Sequence, residues 1–391
     1  MMDGGRRLWR SAIVSESKSD SERTSTGRLK HGDMALLDNP GTPISADDLA
    51  RIDPGKRQDL KRALLFVAAK RHCLGHTLSC FLDDPPELIP CQASLGNSPP
   101  SLEDDLVVSS SFRYEPRGEP PPDIRHQPPP MDGLLRGHPL AWIEPPGPGI
   151  RVPLWARGEW VQIFESLRPG QPAPGSLPRH ARRALAMAKV LVAPGHEQTE
   201  TEQWQAVEKN AATQFRTTGY AVVRGLIPSV HLGALRRYYR ALVASGRLPQ
   251  GDNQVAERYC LHSEPVGMFF HPQLTNLVSR VAGEPVKPSY LYFSSYPSGS
   301  ALPRHVDRIQ CEFSISLLVD YHPEPDGPCG WPLFLEHPER RQSVGADLSL
   351  GDGLLYRGCE LVHYRNPLPE GHHSSSIFLH YVREDFAGDL S

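Results

Sequence analysis

His305 and Asp307 stand two residues apart in "YPSGSALPRHVDR" (296–308), just after a glycine-containing bend and ahead of a long apolar run. Read as a strand, the stretch points both side chains to one face, an imidazole beside a carboxylate, as a divalent metal requires. His363, in "GDGLLYRGCELVHYRNP" (351–367), supplies a second imidazole on a later strand. Two histidines and one carboxylate complete a facial set that leaves positions on the metal for oxygen and a chelating cosubstrate. The spacing alone discriminates little. His31-Gly-Asp33 repeats it, and His262, His322 and His337 each precede a glutamate by two residues. The His31 pair lies in polar sequence without a scaffold, and a central proline in the His322 and His337 versions removes the same-face geometry. His363 taken singly also reads as an ordinary strand histidine satisfied by backbone.

The elements that must position these residues begin near residue 200. "TEQWQAVEKNAATQFRTTG" (201–219) is expected to be a helix closing on Gly219, "YAVVRGLI" a short strand, and "PSVHLGALRRYYRALVASG" a helix opened by Pro228 and stopped by Gly246. "HPQLTNLVSRVAG" (271–283) is another helix, and after it come only strand-like runs: "SYLYFSSY", "CEFSISLLVDY", "WPLFLE", "QSVGADLSL", "GLLYRG", "ELVHYR" and "SSSIFLHYVRE". Helices followed by many short strands imply a helix layer on a β-sandwich or open barrel. In "CEFSISLLVDY", Cys311, Phe313, Ile315, Leu317 and Val319 alternate with mostly polar residues, so one face is core and Cys311 reads as packing. Arg304 and Arg308 fall on the other alternation from the metal pair and are expected to point outward, to solvent or to a substrate at the rim. Asp352, between Gly351 and Gly353, is expected to cap a turn.

The first half of the chain has a different texture. Of the 40 prolines, 25 lie in residues 1–200, and "EPRGEPPPDIRHQPPP" (115–130) can form neither a helix nor a central strand, so it reads as a stiff spacer. Helices are expected in "GKRQDLKRALLFVAAKRHCLGHTLSCFL" (55–82) and "LPRHARRALAMAKVLVA" (177–193). The expected division is a disordered segment 1–54, a Pro-rich, partly helical region 55–199, and a β-rich domain 200–391. A formal net charge of -3 gives no polyanion-binding footprint, which argues against a nucleic-acid partner. No apolar run reaches membrane-spanning length and no secretory leader is visible, so the expected location is cytoplasmic, with no membrane partner. Seven scattered cysteines without CxxC pairs fit a reducing compartment. Cys73, His76, Cys80 and Cys91 could be read as a zinc set, but their spacing matches no finger and buried helical cysteines explain them as well.

Taken together, these residues resemble the 2-oxoglutarate and iron(II) dependent dioxygenases, most closely the prolyl 4-hydroxylase type. Tyr296-x-x-Gly299 followed by His305-x-Asp307 matches that type's Tyr-x-x-Gly-x5-His-x-Asp. His363-x3-Pro367-x3-Gly371-x-His373 matches its His-x3-Pro-x3-Gly-x-Lys at every position but the last. The resemblance covers about residues 215–385. It implies an α+β fold with a double-stranded β-helix (jelly-roll, cupin-like) core and flanking helices, and iron held by His305, Asp307 and His363. Fe(II), 2-oxoglutarate and O2, with ascorbate as an accessory reductant, are the implied cofactors. The implied activity is hydroxylation of an unactivated carbon with release of succinate and carbon dioxide, on a small-molecule or peptide substrate such as an amino-acid side chain.

Such a site must pair the far carboxylate of its cosubstrate, because an uncompensated buried anion is costly. At the expected lysine or arginine this chain has His373, with Ser375 two residues along. Tyr296 occupies the position of a tyrosine that binds the same carboxylate in the family. Arg365, two residues from His363 on one strand, should face the same interior, unless it is a surface charge at a strand end. Arg383 is a further candidate. The alternative reading is a cupin-type scaffold that binds metal or a carboxylate ligand without turnover, and a working anion clamp separates the two. The oligomeric state is not legible in the sequence.

Overall fold

The computed structural model describes residues 105–118, 139–156, 158–227, 229–244, 246, 248–337 and 342–390. The segment 1–54, the helix expected over 55–82, the four-residue zinc alternative and most of the proline run lie outside them.

The described residues ahead of position 196 form β1 (Val107–Val108), the meander β2 (Arg113–Glu115), β3 (Leu140–Ile143) and β4 (Val152–Trp155), then α1 (Glu159–Ser166), α2 (Arg179–Met187) and β5 (Leu191–Val192), which pairs antiparallel with β1. The helix expected over 177–193 is therefore shorter, because the chain turns at Lys189, at positive φ, to enter β5. The expected boundary at 199/200 falls inside α3 (His196–Thr218), and the apolar core runs without a break from Leu106 to Tyr381.

As expected, α3 ends on Gly219, whose φ of 79° is readily adopted only without a side chain. Next come β6 (Tyr220–Val223), α4 (Ser229–Ala244), β7 (Tyr259–His262), α5 (Pro265–Phe270) and α6 (Thr275–Ala282). Eight strands follow: β8 (Val286–Tyr296), β9 (Leu302–His305), β10 (Phe313–His322), β11 (Leu333–Glu336), β12 (Ser343–Ala346), β13 (Gly353–Tyr356), β14 (Val362–Arg365) and β15 (His373–Arg383). With β6 and β7 they form two antiparallel sheets, β6-β13-β10-β15-β8-β7 and β12-β11-β14-β9. Successive strands from β8 to β15 cross from one sheet to the other, except that β11 and β12 pair as neighbours in the smaller one, and this is the jelly-roll order of a double-stranded β-helix.

Strand β10 shows why both faces of the larger sheet are buried. Its odd-numbered residues and their neighbours meet the helix layer: Phe313 lies 6.2 Å from Phe215 of α3, and Phe293 of β8 stacks at 4.3 Å on Tyr239 of α4. Such aromatic pairs contribute roughly 0.5–1.5 kcal/mol beyond their burial. The even-numbered face carries Ser314 and Ser316, with Phe378 and His380 beside them on β15, and looks into the space between the sheets. Polar residues there mark a polar chamber in place of solvent.

Candidate metal centre

The register of the smaller sheet pairs His363 of β14 with His305 of β9. Their ring centres are 4.2 Å apart. Asp307 is not on the strand, as the same-face reading assumed, because β9 ends at His305 and the chain turns toward the short 3-10 helix Ile309–Cys311. Its N–H donates instead to the carbonyl of Gly358, at 2.9 Å, which draws the carboxylate back under the imidazoles. Oδ1 of Asp307 lies 3.6 Å from Nε2 of His305 and 3.4 Å from Nε2 of His363. The donor atoms of all three residues fall within 4.8 Å of one another.

Hydrogen bonds fix the imidazoles for metal binding. Nδ1 of His305 lies 2.8 Å from the carbonyl of Pro303, and Nδ1 of His363 lies 2.9 Å from that of Leu361. A carbonyl only accepts, so each Nδ1 carries the proton and each Nε2 turns a lone pair toward Asp307. The carboxylate is oriented in the same way. Ser314 donates to its Oδ2 at 3.1 Å and accepts in turn from Nδ1 of His380 at 2.8 Å, leaving Oδ1 for the metal side. Burial pushes the Asp307 carboxyl upward, but the imidazoles of His305 and His363 outweigh it and hold the group well below the usual carboxylate range. Burial opposes protonation of His305, yet Asp307 and the Pro303 carbonyl raise it above its ordinary value. This donor set fits iron(II): two neutral imidazoles and one carboxylate on one side of an ion, with only part of its charge offset.

The chamber beside this set is lined by polar atoms that lack a hydrogen-bond partner among the described residues. They include Oγ of Ser294, Ser316 and Ser374, Nε2 of His380 and Nε of Arg365. Arg365 shares the buried face of β14 with His363. Its Nη1 donates to the carbonyl of Trp331 at 2.5 Å and its guanidinium lies 4.4 Å from the Trp331 ring centre. No carboxylate is within ion-pair distance among the described residues, and burial lowers its pKa, as expected of a cation without an acid beside it. Tyr296 is buried in T-shaped contact with Trp331 at 5.2 Å, and its hydroxyl accepts from Nη1 of Arg258 at 2.8 Å.

The other two clamp candidates lie elsewhere. His380 and Phe378 face the chamber, so the odd-numbered residues of β15 face away from it. Ser375 bonds Ser295 at 3.0 Å on the far side, and His373 is exposed, with its ring 6.4 Å from that of His322. Ser375 and His373 therefore lie off the face that carries Phe378 and His380, whereas Ser374 lies on it. Arg383 pairs with Glu284 and Glu312, also outside it. Cys311 belongs to the 3-10 helix and not to β10. It is buried, 3.1 Å from the hydroxyl of Tyr290, and burial followed by the Asp307 charge pushes its thiol up to about 12, which suits packing. Sequence reasoning missed Ser314, His380, Gly358 and Arg258. The first two sit on the chamber face of core strands and were legible there as polar residues spaced by two; Arg258, at the end of a loop, gave no pattern.

Several solved structures are similar to part of this chain. A prolyl-4-hydroxylase from Pseudomonas putida is similar over 45% of this chain and 99% of its own, with 15% identity and a TM-score of 0.38. A prolyl hydroxylase from Trichoplax adhaerens, solved with a hypoxia inducible factor peptide fragment, is similar over 47% and 94%, with 18% identity and a TM-score of 0.39. The non-heme alpha ketoglutarate dependent epimerase SnoN from nogalamycin biosynthesis is similar over 46% and 83%, with 16% identity and a TM-score of 0.39. No family model matches the chain, and no curated protein sequence does. At such identities and scores the likeness carries no argument, and both fold and function rest on this chain's own strands and side chains. No helix among the described residues is long and apolar enough to cross a membrane.

Proposed function

We propose that this chain is an Fe(II)- and 2-oxoglutarate-dependent dioxygenase that hydroxylates an unactivated carbon and releases succinate and carbon dioxide. The observation that carries the reading is the convergence of His305, Asp307 and His363, with both Nδ1 atoms bonded to carbonyls and both Nε2 lone pairs turned inward. These three residues would hold the iron, which when bound supplies activation of oxygen and oxidative decarboxylation of the 2-oxo acid. The chain's own groups do the rest. Arg365, a buried cation without an acid, offers its guanidinium to the cosubstrate's far carboxylate, and that ion pair would offset a burial cost otherwise left standing. Tyr296 accepts from Arg258, so its own proton is available to the same carboxylate, and Ser374 stands in the register position beside it.

Anaerobic titration with Fe(II) and 2-oxoglutarate tests the reading. A weak visible charge-transfer band is expected, together with succinate release once oxygen is admitted. His305→Ala and His363→Ala should abolish both. Tight iron binding with no band and no succinate would favour the scaffold alternative, a metal-binding cupin without turnover.

A further inference from the structure

The lip of the chamber beside Asp307 carries groups for which oxygenase chemistry has no use. Among the described residues three large apolar side chains are exposed, and two of them, Val306 (47%) and Ile309 (65%), flank the carboxylate ligand. Between Asp307 and Ile309 stands Arg308, also exposed and with no carboxylate within ion-pair distance among the described residues. Its Nε donates to the hydroxyl of Tyr290 at 3.0 Å and its guanidinium lies 4.4 Å from the centre of that ring. An arginine laid on a tyrosine keeps its outer N–H edge directed to solvent in a fixed fork, the geometry that recognises a carboxylate in bidentate fashion.

The stack beneath Arg308 leads to the metal centre. Tyr290 lies 4.6 Å from His380, which bonds Ser314, which bonds Asp307. On the outer side, exposed His262 of edge strand β7 lies 5.3 Å from Tyr292 and extends the aromatic surface. Two other arginines near this mouth, Arg258 and Arg304, are paired with Asp252 and Glu336. Arg308 is thus a cation at the lip with no acid at ion-pair distance among the described residues, set among apolar side chains. A small ligand confined between the sheets would leave Val306 and Ile309 in water, whereas a chain lying across the lip would cover them, at about 25 cal/mol per Å² of apolar surface removed from water.

Resting on the oxygenase reading, we propose that the substrate is a polypeptide segment, with an acidic side chain paired to Arg308 and apolar neighbours covering Val306 and Ile309. The target residue would enter the chamber between them and Tyr292.

The test uses the full-length protein with Mn(II) and 2-oxoglutarate, incubated with a degenerate peptide pool whose bound fraction is sequenced. Wild type is expected to enrich Asp or Glu next to apolar residues about two- to fivefold over the input, the size of one solvent-exposed ion pair. Arg308→Ala should lose the acidic preference and keep the apolar one, and Arg308→Glu should exchange it for Lys or Arg. Identical selection by wild type and Arg308→Ala, or no selection at all, overturns the proposal. So does succinate release stimulated by small apolar carboxylic acids with the pool ignored. The iron charge-transfer band and peptide-independent succinate release, measured on the same preparations, separate the two readings. Their loss with acidic selection intact removes the oxygenase and leaves a peptide-binding surface; their presence with an indifferent pool removes only the docking proposal.

Discussion

Arg365 is the residue whose replacement distinguishes binding from folding. Its guanidinium is buried with one carbonyl and one tryptophan face for company, so the metal-free, ligand-free protein carries a desolvated cation. Arg365→Met should weaken 2-oxoglutarate binding by about 10- to 100-fold, the worth of a charge-assisted bidentate pair. It should leave Fe(II) affinity intact, and the ligand-free variant should melt no lower than wild type, since an apolar side chain in place of an unpaired buried ion is neutral or stabilising. Calorimetric titration and a melting curve check both halves. His305 sets a pH dependence. Its raised pKa means that the metal-free site binds a proton that iron must displace, while Asp307 stays ionised through the same range. Iron affinity is therefore expected to rise with pH up to the His305 pKa, by about tenfold per unit, and to level off above it. A flat profile in equilibrium titrations would contradict the assignment of this imidazole as a ligand. The candidate triad could be singled out because several spacings occur together around it, Tyr296-x-x-Gly299 ahead of His305 and Pro367 and Gly371 after His363, whereas His-x-acid alone recurs elsewhere in the chain. Of the proposed clamp, the placing of Arg365 follows from simple alternation with His363, whereas that of His373 and Ser375 depends on the register of β15, which sequence does not state.

At the scale of elements, the pairing of turns is what holds the ligands in range. Gly299, at φ 81°, donates to the carbonyl of Leu368, and Leu368 donates back to Ser300, so the bend after β8 is tied to the turn after β14. This tie is the physical content of the two glycine and proline spacings visible in the sequence. Gly358 makes the other tie. A Cβ there would sit 2.5 Å from Oδ2 of Asp307 and 2.5 Å from the carbonyl of Cys311. Gly358→Ala is thus expected to cost about 1–3 kcal/mol by overpacking and to weaken iron binding with it, because the atom displaced belongs to a ligand. Chemical denaturation together with iron titration reads both; a stability loss without any change in iron affinity would show that the turn yields elsewhere. The strands were legible as a run of short elements after a helix layer, but not their order or pairing. What escaped was the burial of both faces of β10, since serines lining a closed chamber and serines facing water give the same alternation.

For the whole molecule, the question is whether the barrel stands without residues 105–199. Trp142, Trp160 and Phe164 belong to the same buried cluster as the barrel's Phe293 and Phe313. Polar ties cross the expected boundary as well. Ser109 donates to Glu197 at 2.5 Å, and the N–H of Arg151 donates to Gln273 at 2.8 Å. A chain starting at residue 200 would expose that apolar surface and cut the first turn of α3, in which Glu197 is the acidic residue favoured at a helix N-terminus. Proline density concealed this, since prolines confined to edges and turns are compatible with the short strands β1 to β5. A chain starting at residue 105 is expected to melt with the full-length protein. One starting at residue 200 should melt about 10 °C lower or more, the shift that follows from losing roughly 3 kcal/mol in a domain of this size, or should fail to stay in solution. Equal melting temperatures for the two truncations, each saturated with Mn(II) and 2-oxoglutarate, would restore the boundary at 199 and make the first half a separate body. A difference would mean that the helices behind the larger sheet, and through them the strand that carries Ser314, are braced from the N-terminal side.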